Sequence, residues 1–301
     1  MRTSRTLAVA LCAVALTATA ACGKDGSPAG STDASASNAP ALPTYTVKTD
    51  VKVDSAILAE AKKRGQLIIG AKADQPNLGW EDVASGDRSG FDIEIAKMVA
   101  ADLGFTPQQI KWQTLVSSQR EPAIAKGQID FYVGTYSIND ERKKTVSFAG
   151  PYYIAGQDFL VKSDNTSITG PESISGKNVC TATGSTSIQN IKQYNPKITQ
   201  FDTYSACVEK LMSGEVDAVT TDDAILKGYA SKYKGKLKVV GKPFTKENYG
   251  VGLNKDDKAL RDAISDALKA HEDNGDWKKA YDATLGASGS AAPEIPTLDR
   301  Y

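Results

Sequence analysis

The sequence predicts an α/β protein of two lobes with a ligand held between them. Three observations carry this. From about residue 55, short apolar runs alternate with stretches whose apolar residues recur at helical spacing, the pattern of strands covered on both faces by helices. The alternation repeats in the second half of the chain. Finally, AKGQIDFYVGTY (125–136) and MSGEVDAVTTDD (212–223) share a frame, G-[QE]-[IV]-D, ahead of a strand that runs out into polar residues. Open α/β sheets bind ligands beyond the carboxyl ends of their strands, so two such ends suggest one ligand between two sheets.

In the first half, SAILAEAKKRG (55–65) reads as a helix stopped by Gly65, and QLIIGAK (66–72) as a buried strand. SGFDIEIAKMVAADLG (89–104) carries Ile93, Ile95, Ala96, Val99 and Leu103 at helical spacing and ends at Gly104. A strand at QIKWQTL, a helix at SQREPAIAKG and a strand at QIDFYVGTY follow. The second half reads as strand KNVCTATG, helix STSIQNIKQY, strand TQFDTY and helix SACVEKLMSG, then strands EVDAVTTDD, KLKVVGK and ENYGVGLNK. The segment from Asp256 to Gly286 is helical with a break at Asn274-Gly275.

Composition narrows the function. Lysine plus arginine and aspartate plus glutamate each total 36 in 301 residues, so nothing global points to nucleic acid. The 24% charged and 41% hydrophobic content is that of a globular protein large enough for two domains. Residues 1–21 have the form of a secretory signal: Arg2 and Arg5, the apolar run LAVALCAVALTATA, then small residues before Cys22. That cysteine resembles the lipidated cysteine of a bacterial lipobox, with Thr19 where leucine is usual. An ordinary signal cleaved near Ala21 is the alternative. Residues 22–54 begin with a Gly-, Ser-, Ala- and Pro-rich stretch suited to a flexible tether on a lipid anchor. Cys180 and Cys207 remain for the exported part and most simply form a disulfide. With His271 as the sole histidine, a zinc site is not expected, and no motif implies a cofactor.

The stretches SGFDIEIAKMVAADLG, AKGQIDFYVGTYSINDERKKTVSFAGPYY, ISGKNVCTATGSTSIQN and SGEVDAVTTDDAIL together resemble the family 3 solute-binding proteins of bacterial ABC importers. Within that family the cysteine pair and FYVGTYSINDER are most similar to actinobacterial glutamate-binding lipoproteins. The resemblance covers nearly all of the chain from residue 66 to 286. It implies the two-lobed type II periplasmic-binding fold, with lobe 1 at 55–153 plus 245–286, lobe 2 at 157–241, crossovers near 153–158 and 241–246, and a tail at 287–301.

The resemblance also implies ligand roles. Arg142 would grip an α-carboxylate, for which a planar guanidinium is suited. Thr135 and Ser137 would meet the α-ammonium and α-carboxylate, Asp222 would pair with the ammonium, and Ser185 and Thr186 would donate to a carboxylate. Lys72 and Arg120 stand where binders of acidic amino acids are basic, which implies glutamate, with aspartate next and the amides less favoured. Each has a plainer reading. Arg142 could be a solvated helix residue, Lys72 a partner of Asp74, Arg120 a partner of Glu121 or Asp74, and Asp223 could replace Asp222. Trp80, Tyr136 and Tyr152 line the pocket or pack a lobe. One oddity in TYSINDERKK bears on Arg142: a cation in a helix's first turn opposes the macrodipole unless an anion binds there.

The implied protein is a monomer on the outer face of the membrane that closes on a free amino acid and delivers it to a membrane permease. Two other classes share the fold: a cyclohexadienyl-dehydratase-like enzyme, for which no spare carboxylate is evident as proton donor, and a sensor reporting to a membrane kinase.

Overall fold

The computed structural model describes residues 40–288 and 292–301. The expected signal segment 1–21, Cys22 and the tether as far as residue 39 lie outside the described residues. In chain order, α1 (Ala56–Arg64) leads into β1 (Leu67–Ala71), followed by three short strands, β2 (Asp74–Gln75), β3 (Gly79–Glu81) and β4 (Arg88–Ser89). Next come α2 (Phe91–Asp102), β5 (Ile110–Thr114), α3 (Arg120–Ala125), β6 (Phe131–Tyr132), α4 (Asp140–Lys143) and the long β7 (Val146–Ala155). The second half holds β8 (Gln157–Lys162), β9 (Asn178–Ala182), α5 (Ser187–Ile191), β10 (Lys197–Phe201), α6 (Tyr204–Ser213), β11 (Ala218–Asp222), α7 (Asp223–Lys232) and β12 (Leu237–Val240). The chain then returns through β13 (Glu247–Asn254) to α8 (Lys258–Asp273) and α9 (Asp276–Ala283).

Two five-stranded sheets define two lobes, in the orders β5-β1-β6-β13-β7 and β10-β9-β11-β8-β12. The central strands pair in parallel, as expected: β1 with β5 and β6, and β9 with β10 and β11. Each sheet is nonetheless mixed. β13 runs antiparallel to β6 and β7, and β8 antiparallel to β11 and β12. The reason is topological: the chain leaves lobe 1 through β7 and re-enters through β13, so each sheet receives strands running both ways.

Local chemistry explains the elements. The Ser55 hydroxyl accepts the Leu58 amide (3.0 Å) at the start of α1, and Gly65 takes the left-handed conformation that ends it. α2 is buried on nearly all sides, yet begins with Asp92 and Glu94, acids that suit a helix N-terminus. The crossovers touch each other at Gly156, where a Cβ would lie 2.5 Å from the Thr245 carbonyl and 2.6 Å from Pro243. Only glycine admits that approach. There the Gln157 amide donates to the Thr245 hydroxyl (2.9 Å) and the Phe244 amide to the Gln157 carbonyl (3.0 Å).

Several expectations need correction. The strand read at QIDFYVGTY keeps only Phe131 and Tyr132, because the chain turns out of the sheet toward Thr135. α7 and the small sheet β2-β3-β4 were not anticipated, since neither shows a clean period. The tether expected through residue 54 lies on lobe 1 over its last part: Tyr45 donates to Glu94 (2.9 Å) and Lys48 to Asp102 (2.7 Å). The tail from residue 292 on, whose composition is that of a loose segment, packs on lobe 1 through Leu298 and Tyr301.

Cys180 on β9 and Cys207 on α6 are joined by a disulfide spanning 27 residues. Closing a loop of this length corresponds to about 3.5 kcal/mol in the chain-entropy model. The Cys180→Ser/Cys207→Ser double variant is expected to unfold at lower denaturant by about that free energy; an unchanged midpoint would contradict a stabilising role.

Candidate functional site

The carboxyl ends of β1, β6, β9 and β11 face one cleft between the lobes. Its walls are Ser117, Arg120, Thr135, Ser137 and Arg142 from lobe 1, and Ser185, Thr186, Tyr204, Asp222 and Ile225 from lobe 2. Arg120, Thr135, Ser137, Arg142, Ser185, Thr186 and Asp222, all singled out in the sequence, therefore converge from distant positions. Lys72 stands one step behind, buried, donating to the Ser117 hydroxyl (2.8 Å). A wider groove farther along the seam, lined by Pro76, Trp80, Gly228 and Lys232, lacks this convergence of charge. Trp80 belongs there, its ring 3.8 Å from the Lys232 ammonium.

Arg142 enters from α4, a single turn. Asn139 caps it, accepting the Arg142 amide (2.9 Å). The Arg142 side chain donates to the Ser137 carbonyl (2.7 Å), pairs with Glu121 (3.1 Å) and reaches across the cleft to the Gly184 carbonyl (3.1 Å). The macrodipole of so short a helix is weak, and Glu121 offsets much of the cation's cost. Arg120 donates to the carbonyls of Ser117 (3.0 Å), Thr135 (3.4 Å) and again Gly184 (3.2 Å). Among the described residues it has no ion-pair partner, so neither Glu121 nor Asp74 neutralises it. Lys72 has none either; Asp74 is turned to the Ser205 amide (3.1 Å) and the Tyr229 hydroxyl (3.3 Å) of lobe 2. Both guanidiniums lie against the Tyr136 ring, at 4.3 and 4.9 Å, whose negative face attracts cations.

Backbone placement is specific. Thr135 holds a left-handed conformation with φ 45°, costly for a β-branched residue. Asp92 accepts its amide (3.0 Å) and the Tyr152 hydroxyl (2.7 Å), and Gln75 binds its hydroxyl (3.1 Å). Tyr152 thus supports the site from behind rather than lining it. Gly184 packs against the lobe 1 backbone, where a Cβ would lie 2.7 Å from Ser118, and this close approach places its carbonyl within reach of both arginines.

On lobe 2, one Asp222 oxygen accepts the Tyr249 hydroxyl (2.7 Å), while the other is buried without a partner among the described residues. Asp223 instead pairs with Lys227 (2.6 Å) and accepts the Gly156 amide (3.2 Å), so it faces the crossover. Ser185 shares its hydroxyl with Ser187 (3.0 Å) and Tyr204 (2.9 Å), and Thr186 donates to Glu247 (3.1 Å). Glu121, raised in the sequence as a partner of Arg120, pairs instead with Arg142. Ser117, Gly184, Tyr204 and Tyr249 were not found by sequence reasoning. Nothing in their local pattern marks them; they matter through contacts across 42 residues or more for Gly184 and 27 for Tyr249.

Charge crowding perturbs the titrating groups. Burial, and then the neighbouring Arg120, lowers the Lys72 ammonium to about 7. Burial, and then Glu247, raises the Asp222 carboxyl to about 8. Burial followed by Arg120 also lowers Arg142. Among the described residues no cluster is arranged to hold a metal ion, and no helix is long and apolar enough to cross a membrane.

Two lobes joined by paired crossovers, with convergent polar groups and charges between them, define a solute-binding protein rather than a lone α/β domain. The model for bacterial extracellular solute-binding proteins, family 3, matches residues 67–287, and the chain belongs to this family. It is 38% identical over 263 residues to the glutamate-binding protein GluB of Corynebacterium efficiens, covering 83% of this chain and 89% of that one. It is 34% identical over 226 residues to the glutamine-binding protein GlnH of Bacillus subtilis, covering 74% and 82%. A solved structure of an ancestral arginine-binding protein bound to glutamine superposes with a TM-score of 0.70 at 36% identity, covering 74% of this chain and 99% of that one.

The two shifted groups set opposite pH dependences of stability. Asp222 titrates higher folded than unfolded, so its favourable contribution, complete below about 4, is lost as pH rises toward 8. Lys72 titrates lower folded than unfolded, so its contribution, complete above about 10, is lost as pH falls toward 7. In thermal melts without ligand, Asp222→Asn should therefore gain most over wild type at pH 8–9, and Lys72→Met most near pH 6. Gains independent of pH would contradict these assignments.

Proposed function

We propose that this chain is the extracytoplasmic amino-acid receptor of an ABC importer, that its ligand is L-glutamate, and that it performs no chemical step. One observation carries the reading: Lys72, Arg120 and Arg142 gather on the lobe 1 side of the cleft, facing from lobe 2 a buried Asp222 oxygen that has no partner among the described residues. An α-amino acid with a second carboxylate complements that arrangement. Its ammonium would pair with Asp222, its α-carboxylate with Arg142, and its side-chain carboxylate with Arg120 and, beside Ser117, Lys72. A cationic side chain such as arginine's would add a like charge where Lys72 and Arg120 have no ion-pair partner among the described residues, at considerable cost in a desolvated cleft. The likeness to a glutamate-binding relative supports the choice; aspartate follows, one methylene shorter, and the amides after it.

Closure in this reading turns on the crossovers at 155–157 and 241–246. Binding favours the closed state because the ligand bridges groups on opposite lobes. Cys22, lipidated after cleavage at Ala21, would anchor the receptor to the membrane near its permease, and the receptor would act as a monomer.

Calorimetry tests the site. Arg142→Ala should abolish measurable binding of glutamate and glutamine alike. Lys72→Ala should weaken glutamate by about 1.5–3 kcal/mol, roughly ten- to a hundredfold, and glutamine much less. Equal losses for the two ligands would remove Lys72 from side-chain recognition. Turnover of prephenate or arogenate would place the chain with the enzymes of this fold.

A further inference from the structure

The segment 292–301 is used by none of the roles assigned so far, yet it is bound to lobe 1 at three elements. The Asp299 amide donates to the Gly150 carbonyl (2.7 Å) on β7, the edge strand of its sheet. The Phe148 amide, also on β7, donates to the Tyr301 hydroxyl (3.0 Å). On α8, Arg261 donates to the Tyr301 carbonyl and lies 4.2 Å from its ring, while Arg300 pairs with Asp266 (2.7 Å). On α4, Lys143 pairs with Asp299 (2.9 Å) and sets its ammonium 4.1 Å from the Tyr301 ring.

The third contact bears on the ligand. Lys143 directly follows Arg142, and α4 is one turn of four residues. A single turn has no stability of its own, and its orientation is set by tertiary contacts. Inside the cleft Arg142 is held by Ser137, Glu121 and Gly184; outside, Lys143 is held by the tail. We propose that residues 292–301 form a strap that braces α4 and so positions Arg142, with Tyr301 and Asp299 as positioning residues for ligand binding. This rests on the reading of Arg142 as the carboxylate grip.

The strap accounts for two oddities together. A sequence ending ASGSAAPEIPTLDRY is poor in apolar residues, yet Pro296 is buried and Leu298 packs against the core, so the segment is seated rather than merely adjacent. Tyr301, in turn, brings two cations, Lys143 and Arg261, to one aromatic ring. The ring and the Asp299 carboxylate hold together charges that would otherwise repel.

Glutamate titrations of the full chain test this. Tyr301→Ala and Asp299→Ala should each weaken binding about three- to tenfold, in the range typical of coupling through packed neighbours. Tyr301→Phe keeps the ring between its cations and should recover most of the affinity. Arg300→Ala breaks a contact with α8 alone and should leave affinity unchanged. In an Arg142→Lys background, which keeps a cation and a weakened but measurable affinity, Tyr301→Ala should change affinity less than twofold, because the forked guanidinium it positions is gone. Wild-type affinity in Tyr301→Ala, or an undiminished loss in the Arg142→Lys background, would overturn the proposal. Amide exchange separates the strap from the function reading: without ligand, Tyr301→Ala should speed exchange at residues 142–144, and unchanged exchange there would also overturn it. Faster exchange in a protein whose wild type binds no amino acid would overturn the binding reading and leave the brace standing.

Discussion

The structure depends on how it tolerates an excess of buried positive charge. Lys72, Arg120 and Arg142 are each at most 9% exposed, and Glu121 supplies the one carboxylate paired with any of them among the described residues. Burying cations without full compensation is expensive. The remaining compensation comes from neutral groups: the carbonyls of Ser117, Thr135, Ser137 and Gly184, the Ser117 hydroxyl and the Tyr136 ring. Much of the local architecture exists to aim those dipoles. Thr135 adopts a left-handed backbone so that its carbonyl meets Arg120, and Asp92 fixes that conformation through the Thr135 amide. Gly184 lacks a side chain where it presses on the Ser118 backbone, and from there its carbonyl reaches both guanidiniums.

The same economy links the lobes. Asp222 sits on lobe 2, but its hydrogen bond comes from Tyr249 on the returning strand of lobe 1. Thr186 and Asn190 of lobe 2 both donate to Glu247 at the mouth of the second crossover. Farther out, Asp74 of lobe 1 accepts the Ser205 amide and the Tyr229 hydroxyl. These contacts are polar, so in the proposed closure a small rotation at Gly156 and residues 241–246 would exchange them for water at modest cost. Polarity at the seam and close backbone approach at the crossovers are what the proposed closure requires.

Much of this was legible in the sequence, and the residues show why. Helical spacing in FDIEIAKMVAAD and the apolar run LIIGA marked α2 and β1, because periodicity reports burial directly. The repeated G-[QE]-[IV]-D frame marked β6 and β11, whose ends open on the cleft. Arg142 and Asp222 were named through the resemblance to family 3 proteins, and both line the cleft. The mixed character of the sheets was hidden, since strand direction depends on where the chain crosses between lobes. Ser117 and Gly184 were hidden too: one acts through Lys72, the other through its carbonyl, and neither leaves a local signature. The seating of the tail was hidden because its composition is that of a loose segment, while its attachment depends on Lys143 and Arg261 elsewhere in the chain.

The central claim is that the cleft's cations and the Asp222 carboxylate together select an α-amino acid with a second negative charge. Calorimetric titration of the protein, freed of any co-purified ligand, against each of the twenty amino acids at neutral pH tests it most directly. The account predicts glutamate as the tightest ligand, aspartate and glutamine weaker, and no measurable binding of arginine or lysine. Tighter binding of arginine than of glutamate, or no binding of any amino acid, would contradict it.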